Sequence, residues 1–414
     1  PPRSTPLYSS AASDVYKRQP MFGPVNVATD QNQLLKDLMD RVADHHGLKV
    51  LFHEKPFAGL NGSGKHNNWS LMTDTGVNLF QPTSSARENL MFLVFLIATI
   101  KAVHDHADLL RAAIASAGND YRLGANEAPP AIISVFLGST LSAVLDELER
   151  NGNIKIEKGD NLYMKLGIDQ IPEIILDNTD RNRTSPFAFT GNKFEFRAVG
   201  GDANVSNPMT VLNLIVADQL SDFHEKLVKK IDAGDEKRLA AIEILRGYIK
   251  VSKKIRFEGD GYSLDWEKEA KKRGLSNVRD TPRALDFLLT KKAKDLFKRH
   301  GVLNEVEIQA RHEIMLENYI MKVQIEARVM GDLALNHIIP TAIIYQNKLI
   351  QNANGLKGLG INADDIIETI EELSKHVSII KKLTNEMVRE RKKVNKMEDS
   401  RTRAIAYCDQ VKAK

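Results

Sequence analysis

Three short segments of this chain carry residue types that could do chemistry. The first runs from Gly59 to His66 and reads G-L-N-G-S-G-K-H. A glycine-rich loop lets backbone approach a ligand closely, and this one ends in an imidazole. It nearly satisfies the G-x-x-x-x-G-K-[ST] pattern of phosphate-binding loops. Two features exclude that reading. His66 stands where Ser or Thr is required, and Asn67–Leu71 reads as a strand where such a loop must open a helix. A tight hairpin between two strands is the plain alternative for the same residues.

The second segment is Lys193-Phe194-Glu195-Phe196-Arg197. Strand alternation puts Lys193, Glu195 and Arg197 on one face and the two phenylalanines on the other. A carboxylate between two cations suits a divalent metal, held through oxygen, beside a phosphoryl group whose charge the cations offset. A half-exposed strand with a cross-strand ion pair has the same spacing. The third segment, Tyr121 to Pro130, is a Gly-, Asn- and Pro-rich loop holding Arg122 and Glu127. Such loops often carry function on a rigid scaffold, although a connection between helices needs no more. Asn182-Arg183-Thr184 precedes the charged strand and either sets Arg183 on a phosphate or forms a polar turn. His104 and His106 are two apart on a helical stretch, so they share no face and read as packing or surface residues.

These segments need elements to hold them. Leu34, Leu35, Leu38, Met39 and Val42 line one face of a helix over Asp30–His46, and a strand is expected at Leu48–Phe52. Ser84–Ser116 reads as one long helix, with Ser84 or Ser85 as N-cap and Glu88 in the first turn. Another helix is expected over Pro130–Glu149. Strands are expected at Ile154–Glu157, Glu173–Leu176 and Phe187–Ala198, then a helix over Asn207–Phe223. Beyond Phe223 heptad-like runs dominate, at Pro282–Arg299 with Thr281 as N-cap, Glu305–Val329 and Asp364–Lys396. The expectation is an α+β domain over 21–223 and an all-helical domain over 224–414. Residues 1–20 lack periodicity and read as a non-native leader or a disordered terminus.

Composition sets the outer limits. The chain has 414 residues, 42% hydrophobic and 27% charged, enough apolar material for a large core. Lysine and arginine number 58 against 54 acidic residues, a net charge of +4 that argues against nucleic acid as a partner. The single cysteine, Cys408, cannot form an internal disulfide, so a cytoplasmic location is expected. The longest apolar run, Leu90–Ile100, is too short to span a bilayer, and no membrane partner is expected.

Taken in order, these motifs resemble the glutamine synthetase family. Its N-G-S-G-x-H loop corresponds to Asn61-Gly62-Ser63-Gly64-Lys65-His66, preceded by Lys55-Pro56. Its R-L…E-A-P flap corresponds to Arg122-Leu123 and Glu127-Ala128-Pro129, its N-R-[ST] step to Asn182-Arg183-Thr184, and its R-x-E-x-R strand to Lys193–Arg197. The stretches HEKPFAGLNGSGKHNNWSL and FTGNKFEFRAVG, with the helical tail, resemble the type III branch.

The resemblance implies a fold and a chemistry. The fold is the C-terminal part of a glutamine synthetase/guanido kinase-like catalytic domain, a curved antiparallel sheet with helices, followed by a helical domain. The activity is ATP-dependent ligation of ammonia to L-glutamate through γ-glutamyl phosphate. His66 and Glu195 match ligands of one of two Mg²⁺ or Mn²⁺ ions. Asn61 and Gly62 match the loop that contacts glutamate, and Arg122 and Arg197 match groups that hold its carboxylates. Glu127 matches the flap acid that takes a proton from ammonium. Arg183 and Lys193 match phosphate-side positions, and Ser70 one beside the adenine. A double-ring homo-oligomer is implied as well.

Some positions depart from the family. Lys193 stands where most members have arginine, which puts bidentate phosphate binding there in doubt. Ala188 replaces a second arginine, and the Arg122–Glu127 loop is one residue shorter than in the common bacterial form. The family's E-x-E metal ligands have no counterpart in these residues, so the chain by itself is expected to lack synthetase activity. The same fold would also serve a γ-glutamyl ligase using another amine, or a non-catalytic structural or regulatory homologue.

Overall fold

The computed structural model describes residues 21–82, 86–125, 128–150 and 184–413. The chain divides into two compact units between Arg279 and Asp280. The boundary expected at 223/224 falls inside a continuous helix, Ser206–Asp232.

The first unit is built on a four-stranded sheet of order β1-β4-β3-β2. Its strands are β1 (Gly64–Trp69), β2 (Val135–Phe136), β3 (Phe187–Phe189) and β4 (Phe194–Gly200). β1 and β3 flank β4 antiparallel, but β2 runs parallel to β3. The sheet is therefore mixed rather than wholly antiparallel. One face is aromatic: Phe187 stacks on Phe194 with ring centroids 4.7 Å apart, and Trp69, Phe80 and Phe189 close around Phe194. This packing fixes the register, because a one-residue slip of β4 would turn Phe194 and Phe196 out of the core.

Helices cover that sheet. α1 spans Val25–His45, α2 Ala86–Asp105, α3 Ala107–Ala113, α4 Ala117–Arg122 and α5 Ser139–Arg150. α6 (Ser206–Asp232) and α7 (Lys237–Ser252) pack on α2, whose Phe92, Leu93, Leu96, Ile97 and Ile100 are all buried. α8 (Leu264–Lys272) follows, with Trp266 stacked on Phe257.

Several local expectations are corrected. The helix expected over Ser84–Ser116 breaks at His106, which leaves the helical region (φ −124°, ψ 27°), and the axis turns by 75°. Residues 48–52 form no strand: Leu48 and Leu51 are exposed, and β4 already has β1 and β3 as neighbours. The helix expected from Pro130 starts only at Ser139, because the buried run Ile132–Leu137 supplies β2 instead. Strands expected at 154–157 and 173–176, and the cap at Ser84 or Ser85, lie outside the described residues.

The second unit is helical. α9 (Thr281–Leu285) is capped by Asp280, whose carboxylate accepts the Arg283 N–H at 3.0 Å, so Thr281 is the first helical residue and not the cap. Thr290 separates it from α10 (Lys291–Arg299) and caps that helix. Asn304 and Glu307 form a reciprocal capping box that starts α11 (Glu305–Asp332). α12 (Ile339–Gly358), α13 (Asp364–Val394) and α14 (Ser400–Ala406) complete the unit. Among the described residues no single helix is long and apolar enough to cross a membrane.

Candidate active site

β1 carries the glycine loop into the sheet, and a bulge between Lys65 and Asn67 sets His66 off the regular ladder. Asn68 lies opposite Glu195, so His66, two residues earlier, shares the face of Glu195. His66 Nδ1 and Glu195 Oε1 are 2.9 Å apart; Glu195 is half-buried, while His66 is exposed. Strand β1 continues past His66 with no helix behind the loop, as the exclusion of a phosphate-binding loop requires.

The loop's glycines are set by what lies against them. A Cβ at Gly64 would fall within 3.0 Å of the Arg122 guanidinium, and one at Gly62 would fall as close to the Glu54 carbonyl oxygen. Real Cβ atoms do not approach that near, so the N-G-S-G spacing is a packing requirement here. Arg122 closes the last turn of α4. Its Nη2 donates to the Arg197 carbonyl at 2.9 Å, and its Nη1 to the Val199 carbonyl at 3.3 Å. Burial pushes the guanidinium down to about 10, against a pull upward from Glu54. Asn119, fully buried, donates to the carbonyls of Ile114 and Ala198 and docks α4 on β4.

The other end of β1 holds a second cluster. Ser70 Oγ lies 2.8 Å from Asn78 Oδ1 and 3.3 Å from the Asn192 carbonyl, and Asn78 Nδ2 donates to that carbonyl at 2.8 Å. Lys193 Nζ donates to Asn192 Oδ1 at 3.2 Å. Ser70 and Lys193 are thus joined through the β3–β4 turn, at the far end of β1 from Gly64. Arg197 is buried at mid-strand and donates to the Ser185 carbonyl.

Residues 21–134 match the family model "Glutamine synthetase, catalytic domain", and residues 240–357 match "Glutamine synthetase C-terminal domain". The chain belongs to the glutamine synthetase family. A glutamine synthetase of Bacteroides fragilis is 48% identical over 412 residues, covering 98% of this chain and 56% of that protein. The type-3 glutamine synthetase of Dictyostelium discoideum is 44% identical over 349 residues, 84% of this chain and 47% of that one. A glutamine synthetase of Butyrivibrio fibrisolvens is 41% identical over 343 residues, 83% and 48%. The chain spans about half the length of these curated relatives.

In this chain the structure brings together His66, Glu195, Arg122, Arg197 and Gly62 around β1 and β4. It places Ser70 and Lys193 at the opposite end of the same strands. Asn61 is exposed. Glu127 and Arg183 lie outside the described residues. His66 and Glu195 put an imidazole and a carboxylate on one face, a pair that fits a divalent cation such as Mg²⁺ or Mn²⁺ through the carboxylate oxygen. Among the described residues no group of three or more His, Cys, Asp or Glu is placed to hold a metal, so this pair supplies two donors and no more.

Sequence reasoning missed Glu54, Asn119 and Asp202. Glu54 is 2% exposed, and its carboxylate accepts the Asp202 N–H at 3.2 Å. The available signal was a lone carboxylate directly before Lys55-Pro56, with no other acidic residue between Asp44 and Asp74.

Proposed function

We propose that the protein is a glutamine synthetase of the type III branch. It joins ammonia to the γ-carboxylate of L-glutamate at the expense of ATP, giving glutamine, ADP and phosphate. The observation that carries this reading is the His66–Glu195 pair, held on one face beside the Asn61–Gly64 loop. The lengthwise matches to three glutamine synthetases, one named type-3, support it.

In this reading the γ-carboxylate oxygen of glutamate attacks the terminal phosphorus of ATP. ADP leaves, and ammonia then attacks the acyl carbon of γ-glutamyl phosphate, forming the amide C–N bond and expelling phosphate. A divalent cation at His66 and Glu195 would neutralise charge on the transferring phosphoryl group. Asn61 and Gly62 present the loop to glutamate, and Arg197 and Arg122 supply positive charge beneath it. Ser70 and Lys193 serve the nucleotide end. Glu127 deprotonates ammonium, and Arg183 meets phosphate. The protein acts as a homo-oligomer in the cytoplasm.

The test is a product assay on the full-length protein with ATP, Mg²⁺ and glutamate, offering ammonium or a panel of primary amines. Glutamine formed in preference to any γ-glutamyl amide supports the reading. A preferred amide product makes it a ligase for another amine, and no product with any of them makes it non-catalytic.

A further inference from the structure

One buried charge beside the glycine loop has no role in the scheme above. Glu54 touches three separate segments. Its backbone carbonyl accepts the Ser63 N–H at 2.8 Å, inside the loop. Its carboxylate accepts the Asp202 N–H at 3.2 Å, just past β4. A Cβ at Gly118 in α4, or at Gly200 at the end of β4, would come within 3.0 Å of that carboxylate, so both backbones are closed against it.

The charge also reaches a cation: Glu54 pulls upward on the titration of Arg122. Lys65 donates to the Ala203 carbonyl, and Lys36 of α1 pairs with Asp202 at 3.1 Å. The segment 200–203 is therefore fastened to the loop through Glu54 and Lys65 together. A buried carboxylate is costly to desolvate, and an apolar side chain of similar volume would fill the space with less penalty. What an apolar side chain could not do is accept the Asp202 N–H and face Arg122.

We propose that Glu54 is a positioning residue for glutamate: it ties the glycine loop to α4 and to the end of β4, and so fixes Asn61–Gly62 relative to the His66–Glu195 pair. This rests on the reading of that loop as the glutamate-contacting one. The nucleotide end is held separately, by Ser70, Asn78 and Asn192.

The experiment compares the full-length protein with Glu54→Gln, which keeps the size and one acceptor oxygen but removes the charge. The glutamate KM should rise about tenfold while the ATP KM stays within about twofold. A residue that only supported folding would lower kcat with the active fraction and leave both KM values in place. Gly118→Ala, which crowds the same carboxylate, should also raise the glutamate KM. Added to Glu54→Ala, it should change the KM by less than about twofold, because the crowded atoms are gone. Amide hydrogen exchange over residues 59–64 should quicken about tenfold in Glu54→Gln. That arm reads the tie whether or not glutamine is made. A wild-type protein making no glutamine would sink the catalytic reading alone. Unchanged exchange, or an active enzyme whose glutamate KM does not move, would overturn the role of Glu54.

Discussion

His66 Nδ1 lies 2.9 Å from Glu195 Oε1, across the seam between β1 and β4. The β1 bulge and the Phe194/Phe196 core on the opposite face create this approach, so the pair follows from the sheet's own packing. If the pair is a metal-binding half-shell, Glu195→Gln and His66→Ala should each weaken Mn²⁺ binding about a hundredfold, with a matching loss of glutamine formation. Calorimetric titration with Mn²⁺ checks this. Unchanged affinity in both variants would reduce the pair to a cross-strand ion pair.

Gly64 faces the Arg122 guanidinium with no room for a side chain. Gly64→Ala must therefore displace either β1 or a guanidinium that serves two β4 carbonyls. The expected destabilisation is about 1–3 kcal/mol, read as a lower urea midpoint at unchanged slope.

The Ser70 hydroxyl joins Asn78 and Asn192 at the far end of β1, the end proposed to take the nucleotide. Ser70→Ala should raise the ATP KM by roughly three- to tenfold, the value of one hydrogen bond, and leave the glutamate KM unchanged. Initial rates with each substrate varied in turn measure both constants. A shift in the glutamate KM instead would place Ser70 wrongly.

His312, in the helical unit, is 4% exposed, and its Nε2 lies 3.9 Å from Asp286. Burial pulls its pKa below the ordinary 6.5; Asp286 opposes this and Arg401 adds to it. A histidine with a depressed folded pKa takes up its proton first in the unfolded chain. Its contribution to stability is complete above pH 6.5 and is lost as pH falls below that value. Urea midpoints should therefore drop between about pH 7.5 and pH 5.5, and less steeply in His312→Gln. Equal pH dependence in the two proteins would count against this.

What the sequence shows and hides follows from the range of the forces involved. The two faces of β4 were legible because alternation is local: Phe194 and Phe196 go to the core, and Glu195 goes to the site. The Asn61–His66 loop was legible because its glycines recur at fixed spacing. The break at His106 was hidden, since helix-forming alanines and leucines run on through both sides of it. The strand Val135–Phe136 was hidden as well, because its partner Phe187 is distant in sequence and two prolines mimic a helix start. Glu54 was not singled out. Its burial depends on Gly118 and Gly200, which no local pattern connects to it.

The most direct test of the central claim is glutamine production by the full-length protein, with ATP, Mg²⁺, glutamate and ammonium, beside its Glu195→Gln variant. The wild type should release one phosphate per glutamine formed, and the variant about a hundredfold less of both. Equal glutamine formation by the two proteins, or none by the wild type, would contradict it.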